Sequence, residues 1–191
     1  MFVHLAGQLS LVDQVVLGDS LVRRNAAALR DLRKFCSTYD GRAASAATAA
    51  ATLVRCGVDS PMETRLRLLI VLAGLGEPTV DYRLHDEEGN LLYRVDLSFP
   101  QVRLAIEYDG AHHDEVGQHG RDLRRREDLE AAGWTFIVVV SKHFHDTPES
   151  VLARIHRAMK AAGLAVPTRL SERWRAHVFP RATVVTRPKS A

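Results

Sequence analysis

Between Ser60 and Tyr108 the spacing of apolar residues switches from a helical period to a period of two, and this switch limits the fold more than any other feature of the chain. Ser60-Pro61-Met62-Glu63 puts Ser at an N-cap, Pro at the first helical position and Glu three residues after the cap, which together announce a helix start. Leu66, Leu69, Ile70 and Ala73 keep the helical period until Gly74 and Gly76. From Val80 the period is two: Val80, Tyr82 and Leu84 alternate, and the polar run Asp86-Glu87-Glu88-Gly89-Asn90 reads as a hairpin turn. Leu91–Phe99 and Val102–Tyr108 follow as strands, with Pro100-Gln101 between them. A charged helix over Arg121–Ala132, an apolar strand over Trp134–Val140 and a helix over Pro148–Ala162 complete the pattern. The order predicts an α/β fold, a mixed sheet flanked by helices.

The residues before this core read differently. Leu11, Val12, Val15, Val16 and Leu17 recur at helical spacing, Leu29, Leu32 and Phe35 share a helical face, and Ala43–Val54 is dominated by alanine, a strong helix former. No strand pattern or repeat occurs there. The expected organisation is an all-helical segment over 1–57, the core over 58–163 and a basic tail over 164–191.

At 191 residues, with 46% hydrophobic and 26% charged residues, the chain has ordinary globular composition. Cys36 and Cys56 are expected as reduced thiols rather than a disulfide framework. The N-terminus lacks the basic residues of a secretory signal, and no apolar run approaches the ~20 residues of a membrane helix, so a cytoplasmic location without membrane attachment is expected. Net charge is +3, yet Arg169, Arg173, Arg175, Arg181, Arg187 and Lys189 face one acid, Glu172, near the C-terminus. Two roles are open to that tail. It is a solvated extension, or it is an arm that contacts phosphates and gains affinity by releasing counterions.

The chemistry lies on the strands flanking Pro100. Period two places Val95, Leu97 and Phe99 on one face and Arg94, Asp96 and Ser98 on the other. Likewise Leu104, Ile106 and Tyr108 oppose Ala105, Glu107 and Asp109. With a tight turn at Gln101-Val102, Asp96 falls opposite Glu107, with β-carbons about 5 Å apart. Like charges directly opposite destabilise a sheet unless something positive lies between them, and a hard divalent cation fits two carboxylates. The competing role is a solvent face on which Arg94 or Arg103 pairs with these acids. Glu107 and Asp109 run at once into Gly110-Ala111-His112-His113, and histidine suits proton transfer near neutral pH.

These motifs, Arg94-Val95-Asp96-Leu97-Ser98-Phe99-Pro100 and Leu104-Ala105-Ile106-Glu107-Tyr108-Asp109-Gly110-x-His112-His113, resemble the very-short-patch-repair-like (Vsr-like) branch of the PD-(D/E)XK nuclease superfamily. Within it they resemble a bacterial domain-of-unknown-function family found in actinobacterial antitoxin-like proteins. Arg121-Asp122-x-x-Arg125-Arg126, Ala132-Gly133-Trp134 and the apolar strand match as well, so the likeness covers about 58–163.

The resemblance implies a restriction-endonuclease-like core and a DNA endonuclease-like, metal-dependent phosphodiesterase. Asp96 and Glu107 would hold Mg²⁺ or Mn²⁺, and Glu63 matches the superfamily's helical acid, although a capping box accounts for it equally. Asp109 stands where the superfamily has lysine. The repair-type branch also lacks that lysine and uses nearby histidines, which gives His112 or His113 the role of base or phosphate contact. Lys142 is a further source of the missing charge. Arg121 and Arg125, one turn apart, would touch phosphate or form a salt-bridged solvent face; Arg173 and Arg175 would contact nucleic acid. The alternative function is a catalytically inactive, nuclease-fold DNA-binding regulator or antitoxin component. The expected partner is nucleic acid, DNA before RNA, and nucleases cutting both strands are commonly dimers, which leaves a homodimer open.

Overall fold

The start signal at Ser60 is realised. In the computed structural model, which describes residues 1–85, 88–109 and 126–179, the Ser60 hydroxyl accepts the Glu63 N–H at 3.1 Å and the Glu63 carboxylate accepts the Asp59 N–H at 2.9 Å. This reciprocal cap starts helix α5 (Pro61–Leu72), which buries Leu66, Leu68, Leu69 and Ile70. Before it come α1 (Phe2–Leu5), α2 (Leu11–Arg23), α3 (Leu29–Thr38) and α4 (Ala44–Leu53). Strands β1 (Thr79–His85), β2 (Leu91–Phe99) and β3 (Leu104–Asp109) form an antiparallel meander, and β4 (Thr135–Val140) joins β3 in parallel. A parallel neighbour requires a crossover, and helical residues 126–131 (α6) are its described part. Helices α7 (Ser141–Asp146), α8 (Pro148–Ala161) and α9 (Arg173–Val178) complete the chain. The mixed α/β sheet flanked by helices is therefore as expected.

The turn at Pro100 is longer than expected. Pro100–Val102 form a 3-10 turn, closed by the Arg103 N–H on the Pro100 carbonyl at 3.1 Å, and Arg103 takes a positive φ of 49°. So β3 begins at Leu104 rather than Val102. Arg103 does not pair with the acids; its guanidinium donates to the Ala132 carbonyl at 2.8 Å.

Leu97, Phe99, Leu104, Ile106, Ile137 and Val139 join the main core with residues of α5 and α8. A smaller cluster holds Val95, Ala105, Leu129 and Trp134, flanked by Tyr82 and Phe136. Val95 thus departs from the simple alternation that grouped it with Leu97 and Phe99. The cause lies across the ladder: Asp81 has φ 51°, and the pairs Val80↔Leu97 and Tyr82↔Val95 skip the intervening Asp81 and Asp96. Aspartate tolerates the left-handed region better than most residues, and here it re-aims both strands at one point.

The N-terminal helices share the main core: Val12, Val15, Ala47, Ala50 and Val54 are buried in the same cluster as α5 and the sheet. Gly18 permits this, because a β-carbon there would lie 2.4 Å from Val54 Cγ2. Below it, the fully buried Arg67 of α5 pairs with Asp19 of α2 at 3.2 Å, and Asp19 also accepts the Thr64 hydroxyl and the Arg55 N–H. Within the stretch read as a basic tail, α9 buries Trp174 and Val178 and packs on α5. Arg181, Arg187 and Lys189 lie outside the described residues.

Candidate active site

Asp96 and Glu107 lie at one end of the β2/β3 ladder, whose pairs Phe99↔Leu104, Ser98↔Ala105 and Leu97↔Ile106 end one residue short of them. The Asp96 carboxylate accepts the N–H of Tyr108, the residue after Glu107, at 3.2 Å. The Asp96 carboxyl is pushed up from the ordinary aspartate value to about 6. Burial contributes most, the Glu63 charge next, and Glu107 also raises it; the Tyr108 N–H and Arg94 act the other way. Three elements therefore direct negative charge at one place: β2 with Asp96, β3 with Glu107 and the first turn of α5 with Glu63.

Of the two roles that its sequence position left open, the capping one is seen at Glu63. Its carboxylate holds the Asp59 N–H as a cap, and its charge reaches Asp96. Asp109, in the lysine position, is exposed at the end of β3. Arg94 binds neither strand acid of the site; its guanidinium pairs with Asp81 and Asp59. Lys142 is exposed on α7, two residues past Val140, which pairs with Asp109 at the same sheet end. Arg173 and Arg175 are exposed on α9, where Arg175 pairs with Glu149 and Glu172 and lies 4.3 Å over the Trp174 ring. His112, His113, Arg121 and Arg125 lie outside the described residues.

The chain's likeness to known sequences covers this same stretch. Residues 77–159 match the REase_MTES_1575 family model. This restriction-endonuclease-like match runs from just before β1 into α8; it contains Asp96 and Glu107 and leaves Glu63 outside. Two proteins of Mycobacterium tuberculosis, uncharacterized proteins MT2308 and Rv2248, are each 33% identical over 144 residues. That alignment takes in 75% of this chain and 46% of each relative, so the chain spans about half the length of the curated relatives it matches. No solved structure matches.

Restriction-endonuclease-like domains typically use divalent metals. The donor set suits one: carboxylates are hard oxygen ligands, and a cation beside Asp96 would offset the burial and the neighbouring acid charges that raise its carboxyl. No group of three His, Cys, Asp or Glu side chains lies close enough to cage a metal among the described residues. Glu63 acts on Asp96 through its charge. Two carboxylates with water and substrate phosphate completing the shell is the usual way of holding Mg²⁺, in contrast to an all-protein cage. His143 and His145 are exposed on α7. Among the described residues, no helix is long and apolar enough to cross a membrane.

One group of residues escaped the sequence reading. Asp59, Asp81 and Arg94 are ordinary charged residues in the sequence, and only the positive φ of Asp81 and the fold of the loop before α5 bring them together.

Proposed function

We propose that the chain is a metal-dependent phosphodiesterase acting on nucleic acid, DNA before RNA, with Asp96 and Glu107 as the carboxylates that hold Mg²⁺ or Mn²⁺. The observation that carries this is the raised carboxyl of the half-buried Asp96, which meets the charges of two other acids and accepts the Tyr108 N–H. The restriction-endonuclease-like match over 77–159 supports the reaction class. The motif resemblance supports the finer placement in the Vsr-like branch.

When bound, Mg²⁺ supplies positive charge for the phosphate and a more acidic water. The chain's own residues do the rest. The Tyr108 N–H fixes one Asp96 oxygen, which aims the other oxygen. Glu107, on the neighbouring strand and close enough for its charge to act on Asp96, would supply the second carboxylate. The Glu63 charge adds to the negative potential at Asp96 and so favours a cation there, where the substrate's phosphate must arrive. His112 or His113 takes the proton of the attacking water in this reading, and Arg121 and Arg125 contact phosphate.

A second reading is favoured by one observation, the exposed Asp109 where the superfamily has lysine. It is a nuclease-fold DNA-binding regulator or antitoxin component without cleavage activity. Incubation with plasmid, single-stranded and mismatched DNA, with Mg²⁺, Mn²⁺ or EDTA, separates the two. Metal-dependent cleavage lost in Asp96→Ala supports the nuclease. Salt-sensitive binding with no cleavage under any metal condition overturns it in favour of the regulator.

A further inference from the structure

Asp59, the residue before the N-cap of α5, is held from three directions. Its carbonyl accepts from the Arg23 guanidinium at the end of α2, its N–H donates to the Glu63 carboxylate at 2.9 Å, and its carboxylate pairs with Arg94. Arg94 lies on β2 two residues before Asp96 and pairs at the same time with Asp81 of β1. The chain passes very close here. Gly57 has φ +82° and approaches β1 so nearly that a β-carbon on it would be 3.1 Å from Asp81 Cβ. A continuous set of contacts therefore runs from the β1 kink through Arg94 and Asp59 to Glu63.

Resting on the metal-dependent reading above, we propose that Arg94 is the positioning residue of the acidic site: by bridging Asp81 and Asp59 it seats the first turn of α5 on the β1–β2 pair and so sets where the Glu63 carboxylate lies against Asp96. The guanidinium suits this role because its planar fork serves two carboxylates at once, which an ammonium does poorly. Its exposure does not argue against the role. Each ion pair alone is worth little, but the bridge fixes a loop that is already held at Gly57 and at the Asp59 carbonyl.

The sign of one measurement separates positioning from charge. Arg94 is a cation near the acids, so by electrostatics alone Arg94→Met would tighten binding of a divalent cation. As a positioning residue its loss weakens binding, by about tenfold, the lower end of what outer-shell substitutions cost at metal sites. The experiment uses the full chain and Mn²⁺ alone as probe. It reads Mn²⁺ affinity together with hydrogen exchange of the position-59 amide in the metal-free protein, with Glu63→Ala setting the exchange rate of a released amide.

In Arg94→Met the expected results are weaker Mn²⁺ binding and faster exchange at position 59, with Arg94→Lys intermediate in both. Unchanged exchange overturns the proposal, and so does unchanged or tighter Mn²⁺ binding even if the amide is released. Should Arg94→Met not fold, Asp59→Asn keeps the arginine, the backbone N–H and the size of the side chain. Faster exchange at position 59 is expected there too, and an unchanged rate overturns the clamp. If the wild-type chain itself does not bind Mn²⁺, the metal-dependent reading fails. The clamp is then judged on the position-59 amide alone: release in Arg94→Met supports it, and an unchanged rate overturns it.

Discussion

The Asp96 carboxylate accepts the Tyr108 N–H at 3.2 Å, a bond across the β2/β3 ladder that ties one acid of the site to the residue following the other. That bond lowers the Asp96 carboxyl, yet burial and the neighbouring acids outweigh it and the value stands at about 6. The metal-free fold is consequently least comfortable when Asp96 is ionised.

A raised carboxyl favours the folded state in its protonated form. The contribution of Asp96 is present in full below the unfolded value near 3.8 and is lost as pH rises through about 6. Asp96→Asn is therefore expected to stabilise the metal-free protein at pH 8, on the order of 1–2 kcal/mol after allowance for solvent screening, with the gain vanishing toward pH 4. Thermal melts in EDTA across that range check it. A destabilised Asn variant at pH 8 would contradict the electrostatics described here.

Mn²⁺ must compete with the proton on Asp96. Affinity is expected to be level above pH 7 and to fall below about 6, by roughly tenfold for each further pH unit while one proton is displaced. Calorimetric titration at several pH values reads it. Mn²⁺ should also raise the melting temperature, the rise growing with the logarithm of its concentration above the Kd, and Asp96→Asn should abolish it.

The Asp19–Arg67 pair predicts a different kind of loss. Arg67 is fully buried and Asp19 nearly so, and burial pushes the Asp19 carboxyl up despite Arg67, the Arg55 N–H and the Thr64 hydroxyl. Asp19→Ala removes the more deeply buried of the two carboxylates on the Arg67 guanidinium, leaves Glu77 at 2.8 Å as the other, and is expected to cost about 1–3 kcal/mol. Replacing both residues together by apolar ones should cost much less. Denaturant unfolding of the single and double variants measures this.

Trp174 closes the core from the C-terminal side, 3% exposed on α9. Trp174→Ala is expected to destabilise by about 3–5 kcal/mol, as for other large buried aromatics. A chain ending at residue 163 should be destabilised at least as much. If that shortened chain melts like the full one, α9 does not contribute to the core.

How far these features could be read from the sequence depended on whether the cause was local. Ser60, Pro61 and Glu63 form a cap from neighbouring residues, so the start of α5 was legible; so was the meander, because alternation over β2 and β3 is a property of each strand alone. The pairing of Leu97 with Ile106 followed from a turn at Pro100, and the inserted 3-10 turn preserved that register although it moved the start of β3. Val95 was misplaced because its side is decided by Asp81 on another strand. Helix α9 was hidden in a basic stretch, since six residues make a helix here only by burying Trp174 and Val178 against α5. Arg94 looked like a partner for the site's own acids, and only the course of the loop at Gly57 shows it engaged with Asp59 and Asp81 instead.

The kink at Asp81 has a consequence beyond the acids. β1 is an outer strand of the sheet, and an outer strand of regular backbone invites another molecule to extend the sheet. With φ 51° in mid-strand and a carboxylate engaged by two arginines, β1 offers an interrupted row of donors and acceptors to any such neighbour. The distortion that turns two strands toward the acids also guards the molecule against sheet-to-sheet aggregation, so relaxing it by substitution would endanger solubility as well as chemistry.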